Sequence, residues 1–254
     1  LFFEALRIIE ATQPRFAIAE NVKQLASDKF SKEFQTVFDS LSDAGYTSYW
    51  AVLNAKDYGM PQTRERVIII SVRNDINHGF VFPAKKELKK RVKDFLQEEA
   101  EGKYYLKEKD TNLIIPDEKN DSDDGCIRVG FLDRPTIHDF SNRVYSPDGL
   151  ARTIMGEGGN CNDKAGQYIM PDGRIRRLTP KECFRLMGFD DNDYQTCKDH
   201  HISDVQLYKM AGNSIVVDVL EAVFKQLINQ YRYNKYEGCE SGQITFDQLL
   251  YGGE

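Results

Sequence analysis

The chain has 254 residues, 41% of them hydrophobic, with 34 basic against 40 acidic side chains and a formal net charge of −6. That length buries a substantial core and allows one large or two small domains. No apolar run approaches the roughly 18 to 20 residues that span a bilayer, so no membrane association is expected. The opening Leu1-Phe2-Phe3 lacks the basic flank and small-residue cleavage site of a signal peptide, and a start at Leu rather than Met is expected of a chain whose first part is missing. Cysteines at 126, 161, 183, 197 and 239 form no CxxC pair and no zinc-ligand spacing. Reduced thiols, no metal and a cytoplasmic setting are therefore expected. Net acidity neither supports nor excludes a nucleic-acid partner, because that affinity comes from local phosphate-facing Lys and Arg. Acid gathers at Asp117-Glu118 and Asp121 to Asp124. Base gathers at Lys85 to Lys93 and at Arg174, Arg176 and Arg177, runs that solvated helix faces and turns also produce.

In chain order, apolar residues at 2, 3, 6, 8 and 9 predict an amphipathic helix from Phe2 to Thr12 that ends before Pro14. Phe16 to Ala19 then reads as a short buried strand running into Glu20-Asn21-Val22, with the carboxylate at its C-terminal edge, where open α/β sheets bind ligands. Phe34, Val37, Phe38 and Leu41 predict a helix over Ser31 to Ala44, stopped by Gly45. Tyr46 to Leu53 and Arg66 to Val72 read as strands, the second with the β-branched run of a buried one. This alternation is that of a partial doubly wound, Rossmann-like α/β sheet.

The pattern changes after Pro83. A charged helix is expected over Lys85 to Glu101, then a polar stretch over 110 to 125, then short strands separated by Gly, Asn, Asp and Pro over 126 to 175. Thr179 as N-cap, Pro180 at N1 and Glu182 at N3 spell a capping box before Phe184 and Leu186. Helical periodicity returns over 201 to 233 through Val216, Val219, Leu220, Val223, Phe224 and Leu227, a helix expected to pack back on the first sheet. Gly212-Asn213-Ser214 sits where that helix is expected to start, so Asn213 and Ser214 also suit ordinary caps. The division is thus 1–83, a mostly β second domain at 84–205, and a returning helix with tail at 206–254.

Four stretches stand out: Glu20-Asn21-Val22; Gln62-Thr63-Arg64-Glu65-Arg66 after Gly59-Met60-Pro61; Arg176 to Phe189; and Ala211-Gly212-Asn213-Ser214. In this order and approximate spacing the chain resembles the cytosine-5 DNA methyltransferases over nearly its whole length. The resemblance implies methyl transfer from S-adenosylmethionine to carbon 5 of a cytosine flipped out of double-stranded DNA. It assigns the catalytic set to Glu20, at cytosine N3, Arg66, at O2, and Arg64, at phosphate or a nearby carboxylate. Period-2 alternation puts the two arginines on one face of the entering strand. It gives Asn213 and Ser214 a contact with S-adenosylmethionine, and makes 84–205 the target-recognition domain. There Leu150 to Ile154, followed by Gly156-Glu157-Gly158-Gly159, is similar to the family's recognition loop with Ile for Leu. Arg143, Arg152, Thr153 and Arg177 are the DNA-binding candidates, with Arg185 a further phosphate candidate. Most of Arg176 to Phe189 is expected to be scaffold.

The family's Pro-Cys nucleophile and glycine-rich cofactor loop lie upstream of its Glu-Asn-Val motif, and none of the five cysteines here follows a proline. The implied protein is the C-terminal portion of such an enzyme, bacterial or phage-encoded and part of a modification system. It would be inactive without a polypeptide that supplies the N-terminal catalytic half. The alternatives are a subunit of a naturally split enzyme and a non-catalytic, sequence-specific DNA-binding module.

Overall fold

Residues 1–77, 79–115, 124–135, 139–156 and 166–236 are described by a computed structural model of the chain, residues 139–140 and 232–236 by their backbone only. In order the elements are α1 (Phe2–Thr12), β1 (Phe16–Val22), α2 (Ser31–Asp43), β2 (Tyr46–Asn54), β3 (Gln62–Thr63), β4 (Glu65–Arg73), β5 (Leu113–Ile114), β6 (Arg128–Leu132), α3 (Asp139–Asn142), β7 (Arg143–Tyr145), β8 (Ala151–Arg152), β9 (Gln167–Ile169), β10 (Ile175–Arg177), α4 (Pro180–Leu186), α5 (Asp191–Asp199), α6 (Asp204–Asn213) and α7 (Val217–Tyr236). They fall into two units. One holds Leu1–Leu53, Glu65–Ala84 and α7 from Leu220 onward; the other holds Asn54–Arg64 and Lys85–Val219. The sequence alone groups 54–64 with the first unit and 206–219 with the last helix, whereas the packing gives both stretches to the second unit. Among the described residues no helix is long and apolar enough to cross a membrane.

In the first unit the sheet order is β1-β4-β2, with β4 antiparallel to β1. A doubly wound sheet is mostly parallel, and this one includes an antiparallel pair, β1 with the central β4. Val67, Ile68, Ile69, Ile70, Ser71 and Val72 are all buried, which follows from a strand flanked on both sides. α1 ends at Gln13, held at a left-handed φ of 45° before Pro14. α2 stops where Gly45 takes a φ of 90° and donates its N–H to the Ser42 carbonyl. α7 returns to this unit through Tyr231, whose ring meets Phe16 edge-on at 5.5 Å and whose hydroxyl accepts from Arg15 at 3.1 Å.

In the second unit five short strands run in the order β10-β9-β7-β6-β5 over a small core of Leu132, Val144 and Ile175. The helix expected over Lys85 to Glu101 does not form. The backbone N–H groups of Lys86, Val92 and Lys93 instead donate to the carbonyls of Asp57, Gly149 and Pro147, and a single 3-10 turn at Val92–Phe95 buries Val92 and Phe95. Four large apolar residues in seventeen (Leu88, Val92, Phe95, Leu96) give a helix little to bury, so hydrogen bonds to distant backbone win. The capping box of α4 is present as expected: Thr179 Oγ1 accepts from Glu182 N, and Glu182 Oε2 accepts from Thr179 N at 2.7 Å. Glu182 does more than cap. It is fully buried, takes both arms of the Arg176 guanidinium at 2.8 Å, and accepts from Gln97 N at 2.8 Å. Every acceptor of a buried carboxylate is thereby used, which offsets its desolvation.

Two measurements follow. Glu182→Gln leaves the buried Arg176 charge without its counter-ion, which costs about 3–5 kcal/mol; urea unfolding followed by probes in the second unit should show that loss. Among the described residues β1 is an edge strand, and α1 covers Phe2, Leu6 and Ile9 only in part while Phe3 and Ile8 are exposed. An unpaired edge beside apolar surface favours association. The isolated chain should therefore self-associate and bind a hydrophobic dye in a concentration series followed by light scattering. A dye-free monomer would show that this edge is covered.

Candidate active site

The β1–β4 register builds the first half of the site. Val22 lies opposite Arg66 and Glu20 opposite Ile68, so Glu20 and Arg66 are diagonal neighbours on one face of the sheet. Their side chains meet: Arg66 Nε lies 2.9 Å from Glu20 Oε1, and the two groups are 20% and 21% exposed. Arg66 also donates to the Glu65 carbonyl at 2.8 Å. A carboxylate and a guanidinium are thus held together, each partly open to solvent. Asn21 Oδ1 accepts from Val22 N at 2.8 Å, shaping the backbone just past the carboxylate. A cleft of ≈ 330 Å³ adjoins Glu20, walled by Phe2, Phe3, Ala19, Asn21, Val37 and Ile69.

Arg64 does not share that face. Its backbone leaves the ladder, donating N–H to Asn54 Oδ1 at 3.2 Å and accepting from Ala55 N at 3.0 Å, and β4 begins only at Glu65. Its guanidinium is buried in the second unit, 4% exposed, and donates to the carbonyls of Ile154 at 2.8 Å, Gly212 at 2.9 Å and Ser214 at 2.9 Å. In the structure it holds backbone. Gln62, which the sequence left without a role, is buried beside it. Its Nε2 donates to the Leu186 carbonyl at 2.9 Å and its Oε1 accepts from Ile154 N at 3.2 Å. β3 pairs in parallel with β8, Gln62 opposite Ala151 and Thr63 opposite Arg152, and Thr153 Oγ1 donates to the Thr63 carbonyl at 2.6 Å. No periodicity signals such a residue; a Gln set between a Pro turn and two arginines is the trace it leaves in the sequence.

Gly212-Asn213-Ser214 closes α6 and does not open the last helix. Ser214 N donates to the Met210 carbonyl at 3.1 Å and its hydroxyl to the Ala211 carbonyl at 2.9 Å, while α7 starts at Val217. Leu207, Tyr208 and Ala211 supply the buried face that lets α6 exist as a separate helix. Asn213 is exposed, and Ser214 is half-buried.

The recognition candidates lie in the second unit. Arg143 pairs across from Phe131, half-buried. The Arg152 guanidinium sits 5.6 Å from the Tyr145 ring centre. That of Arg177 lies 5.5 Å from the Tyr104 ring and donates to the Lys103 carbonyl at 3.1 Å. Arg185 is engaged in scaffold, forked onto Asp191 at 2.7 Å by two nitrogens. The basic cluster at 174–177 is likewise dissolved by the fold, because Arg176 is buried on Glu182. Gly156 is described, but Glu157-Gly158-Gly159, Cys161 and Cys239 lie outside the described residues, as do Asp117-Glu118 and Asp121 to Asp123.

Of the described cysteines, Cys126 and Cys183 are buried and Cys197 is half-buried. Burial, reinforced by the neighbouring Glu182, pushes the Cys183 thiol well above its ordinary value. A raised thiol stays protonated throughout pH 6 to 9, and the thiolate is the reactive form. Iodoacetamide at pH 8 should therefore modify Cys197 ahead of Cys126 and leave Cys183 untouched until the chain unfolds, as peptide mass mapping would record.

Comparison with known proteins places these motifs in one lineage. The C-5 cytosine-specific DNA methylase family matches residues 1–229. The chain is 33% identical over 237 residues to the type II methyltransferase M.HhaI of Haemophilus parahaemolyticus, covering 93% of this chain and 70% of that protein. It is 36% identical over 230 residues to the type II methyltransferase M2.ScrFI of Lactococcus lactis subsp. cremoris, covering 89% of this chain and 58% of that one. A third relative is the orphan methyltransferase M.SPBetaI of Bacillus phage SPbeta, 30% identical and covered over 70% of its length. The chain thus spans 58% of the length of one of these relatives and 70% of the other two. The fold agrees with that of the S. pombe Dnmt2 methyltransferase, at a TM-score of 0.65 and 20% identity over 90% of this chain and 71% of that one. It also agrees with that of a putative DNA modification methyltransferase from an E. coli prophage, at a TM-score of 0.59 and 21% identity over 88% and 72%. With its four motifs in order and the family match running from the first residue into α7, the chain belongs to the C-5 cytosine-specific DNA methylase family.

Proposed function

We propose that this chain carries the base-holding and cofactor-closing parts of a DNA (cytosine-5) methyltransferase that acts on a specific sequence in double-stranded DNA. The Glu20–Arg66 pair supports this most directly: a carboxyl and a guanidinium held 2.9 Å apart at the end of β1, both partly open. A cytosine in a duplex is stacked and paired, so it must leave the helix before its ring can react. Carbon 5 becomes nucleophilic only when electron density is pushed into the ring, and that density collects at N3 and O2. On a flipped cytosine, Glu20 shares a proton with N3 through one oxygen and accepts from the exocyclic amine through the other. Arg66 donates to O2 and stabilises charge as it develops there. Their mutual ion pair sets both groups in place before the base arrives, which is where preorganised electrostatics gains over water.

The methyl group would come from bound S-adenosylmethionine. The exposed carboxamide of Asn213 fits one wall of such a site, offering both donors and an acceptor. Ser214 already donates its hydroxyl to Ala211 and retains only acceptor capacity. Arg64, Arg143, Arg152, Thr153 and Arg177 are placed on the recognition side of this scheme, Arg64 by holding backbone and the others as candidates for phosphate or base. None of the five cysteines follows a proline, so the attacking thiolate and the rest of the cofactor site are assigned to a polypeptide carrying the N-terminal catalytic half. The setting proposed is the bacterial cytoplasm, the enzyme being bacterial or phage-encoded and part of a modification system.

The purified chain should transfer no label from S-adenosylmethionine to DNA, and mixing with a polypeptide bearing the N-terminal half should restore transfer. Turnover by the chain alone contradicts the scheme. In the restored enzyme, Glu20→Gln and Arg66→Ala should each cost about 3 kcal/mol of transition-state stabilisation, some hundredfold in rate, with duplex affinity nearly unchanged. Parallel losses of rate and affinity would mark these side chains as backbone contacts instead.

A further inference from the structure

We infer that Arg64 is a positioning residue that fuses the loop at 151–156 and the Gly212–Ser214 turn into one mechanical piece, so that a ligand restraining either segment restrains the other. Naming those ligands, DNA on the loop and S-adenosylmethionine on the turn, rests on the proposed function; the mechanical link does not.

The guanidinium makes one hydrogen bond to the loop, at the Ile154 carbonyl, and two to the turn, at Gly212 and Ser214, all between 2.8 and 2.9 Å. Its donors point in fixed directions within one plane, so satisfying three acceptors at once fixes their mutual positions. The site is buried, and a carbonyl that lost its donor there would have no water to replace it. Below the guanidinium the two backbones touch directly. A Cβ on Gly212 would lie 2.1 Å from Gly156 N and 2.3 Å from Met155 C. A Cβ on Gly156 would lie 2.2 Å from Asn213 Oδ1 and 2.9 Å from the Lys209 carbonyl. Backbone of the loop and backbone of the turn, with the Asn213 carboxamide beside them, are packed in direct contact here, so neither can move toward the other. Gln62 braces the same loop from the other side, joining Ile154 N to the Leu186 carbonyl at the end of α4. Coupling of this kind is reciprocal: whatever factor one ligand applies to the other's affinity is returned.

The test is hydrogen exchange on the chain as it stands, comparing wild type with Arg64→Lys, whose compact ammonium cannot reproduce a planar fork. Protection should fall about tenfold or more at Ile154, Gly156 and Ser214 together, while the β1–β4 amides keep theirs as the control for folding. Loss at the loop without the turn, at the turn without the loop, or at neither overturns the coupling. Should Arg64→Lys unfold the chain, Gly156→Ala keeps every Arg64 acceptor and should loosen both segments by separating them; an unchanged turn would again overturn it. A second readout separates this inference from the function it borrows. In the enzyme completed with its N-terminal half, Arg64→Lys should raise the KM values for duplex and for S-adenosylmethionine by similar factors with kcat less affected, unlike Glu20→Gln. Coupled exchange with neither KM changed leaves the mechanical link standing and counts against the proposed ligands.

Discussion

The antiparallel register of β1 on β4 is the constraint from which the candidate site follows. With Val22 fixed opposite Arg66, the pleat puts Arg66 and Ile70 diagonal to Glu20 on that face, and Arg66 is the one that can meet a carboxylate. A slip by one residue would turn the carboxylate to the opposite face from the guanidinium. β4 is in turn held in place by the six buried residues from Val67 to Val72, and a one-residue slip would exchange the two faces on which they pack. The Glu20–Arg66 geometry is thus secured by apolar burial along the same strand.

The second unit secures its geometry with buried charge. Glu182 and Arg176 satisfy one another and two backbone N–H groups besides, and Arg64 satisfies three carbonyls. Its strands are only two to five residues long, so much of its backbone lies outside the ladders and is fixed by other bonds. Planar guanidinium groups supply what apolar packing cannot: direction. The two arginines of the Gln-Thr-Arg-Glu-Arg stretch illustrate the division of labour. Arg66 meets a carboxylate in one unit, and Arg64, two residues earlier, joins loop to turn in the other.

The motifs and the local capping chemistry were legible because both depend on near neighbours. Thr179, Pro180 and Glu182 announce a helix start within four residues, and Gly45 ends α2 by its own backbone freedom. The apolar periodicities of α1, β1, α2 and β4 likewise set their spans closely. Family membership was legible for the same reason, as four short patterns kept in order. The absent helix at 85–101 was misread because its residues prefer helix locally, while their N–H groups find partners on Asp57, Gly149 and Pro147.

What tertiary structure alone decided concerns partners distant in sequence. Sequence put Arg64 and Arg66 on one strand face; the structure separates them because Arg64 leaves the ladder to reach carbonyls 90 to 150 residues away. Sequence put Gly212 to Ser214 at the start of the last helix; the structure ends α6 there, because Leu207, Tyr208 and Ala211 find a buried face of their own. The antiparallel pairing of β4 with β1 also has no local signature, since a strand buried on both sides reads the same in either direction. The sequence determined which residue types stand at each motif and which elements they begin or end. Which charge meets which acceptor was decided by packing, because a side chain's partner depends on where the rest of the chain has already been placed.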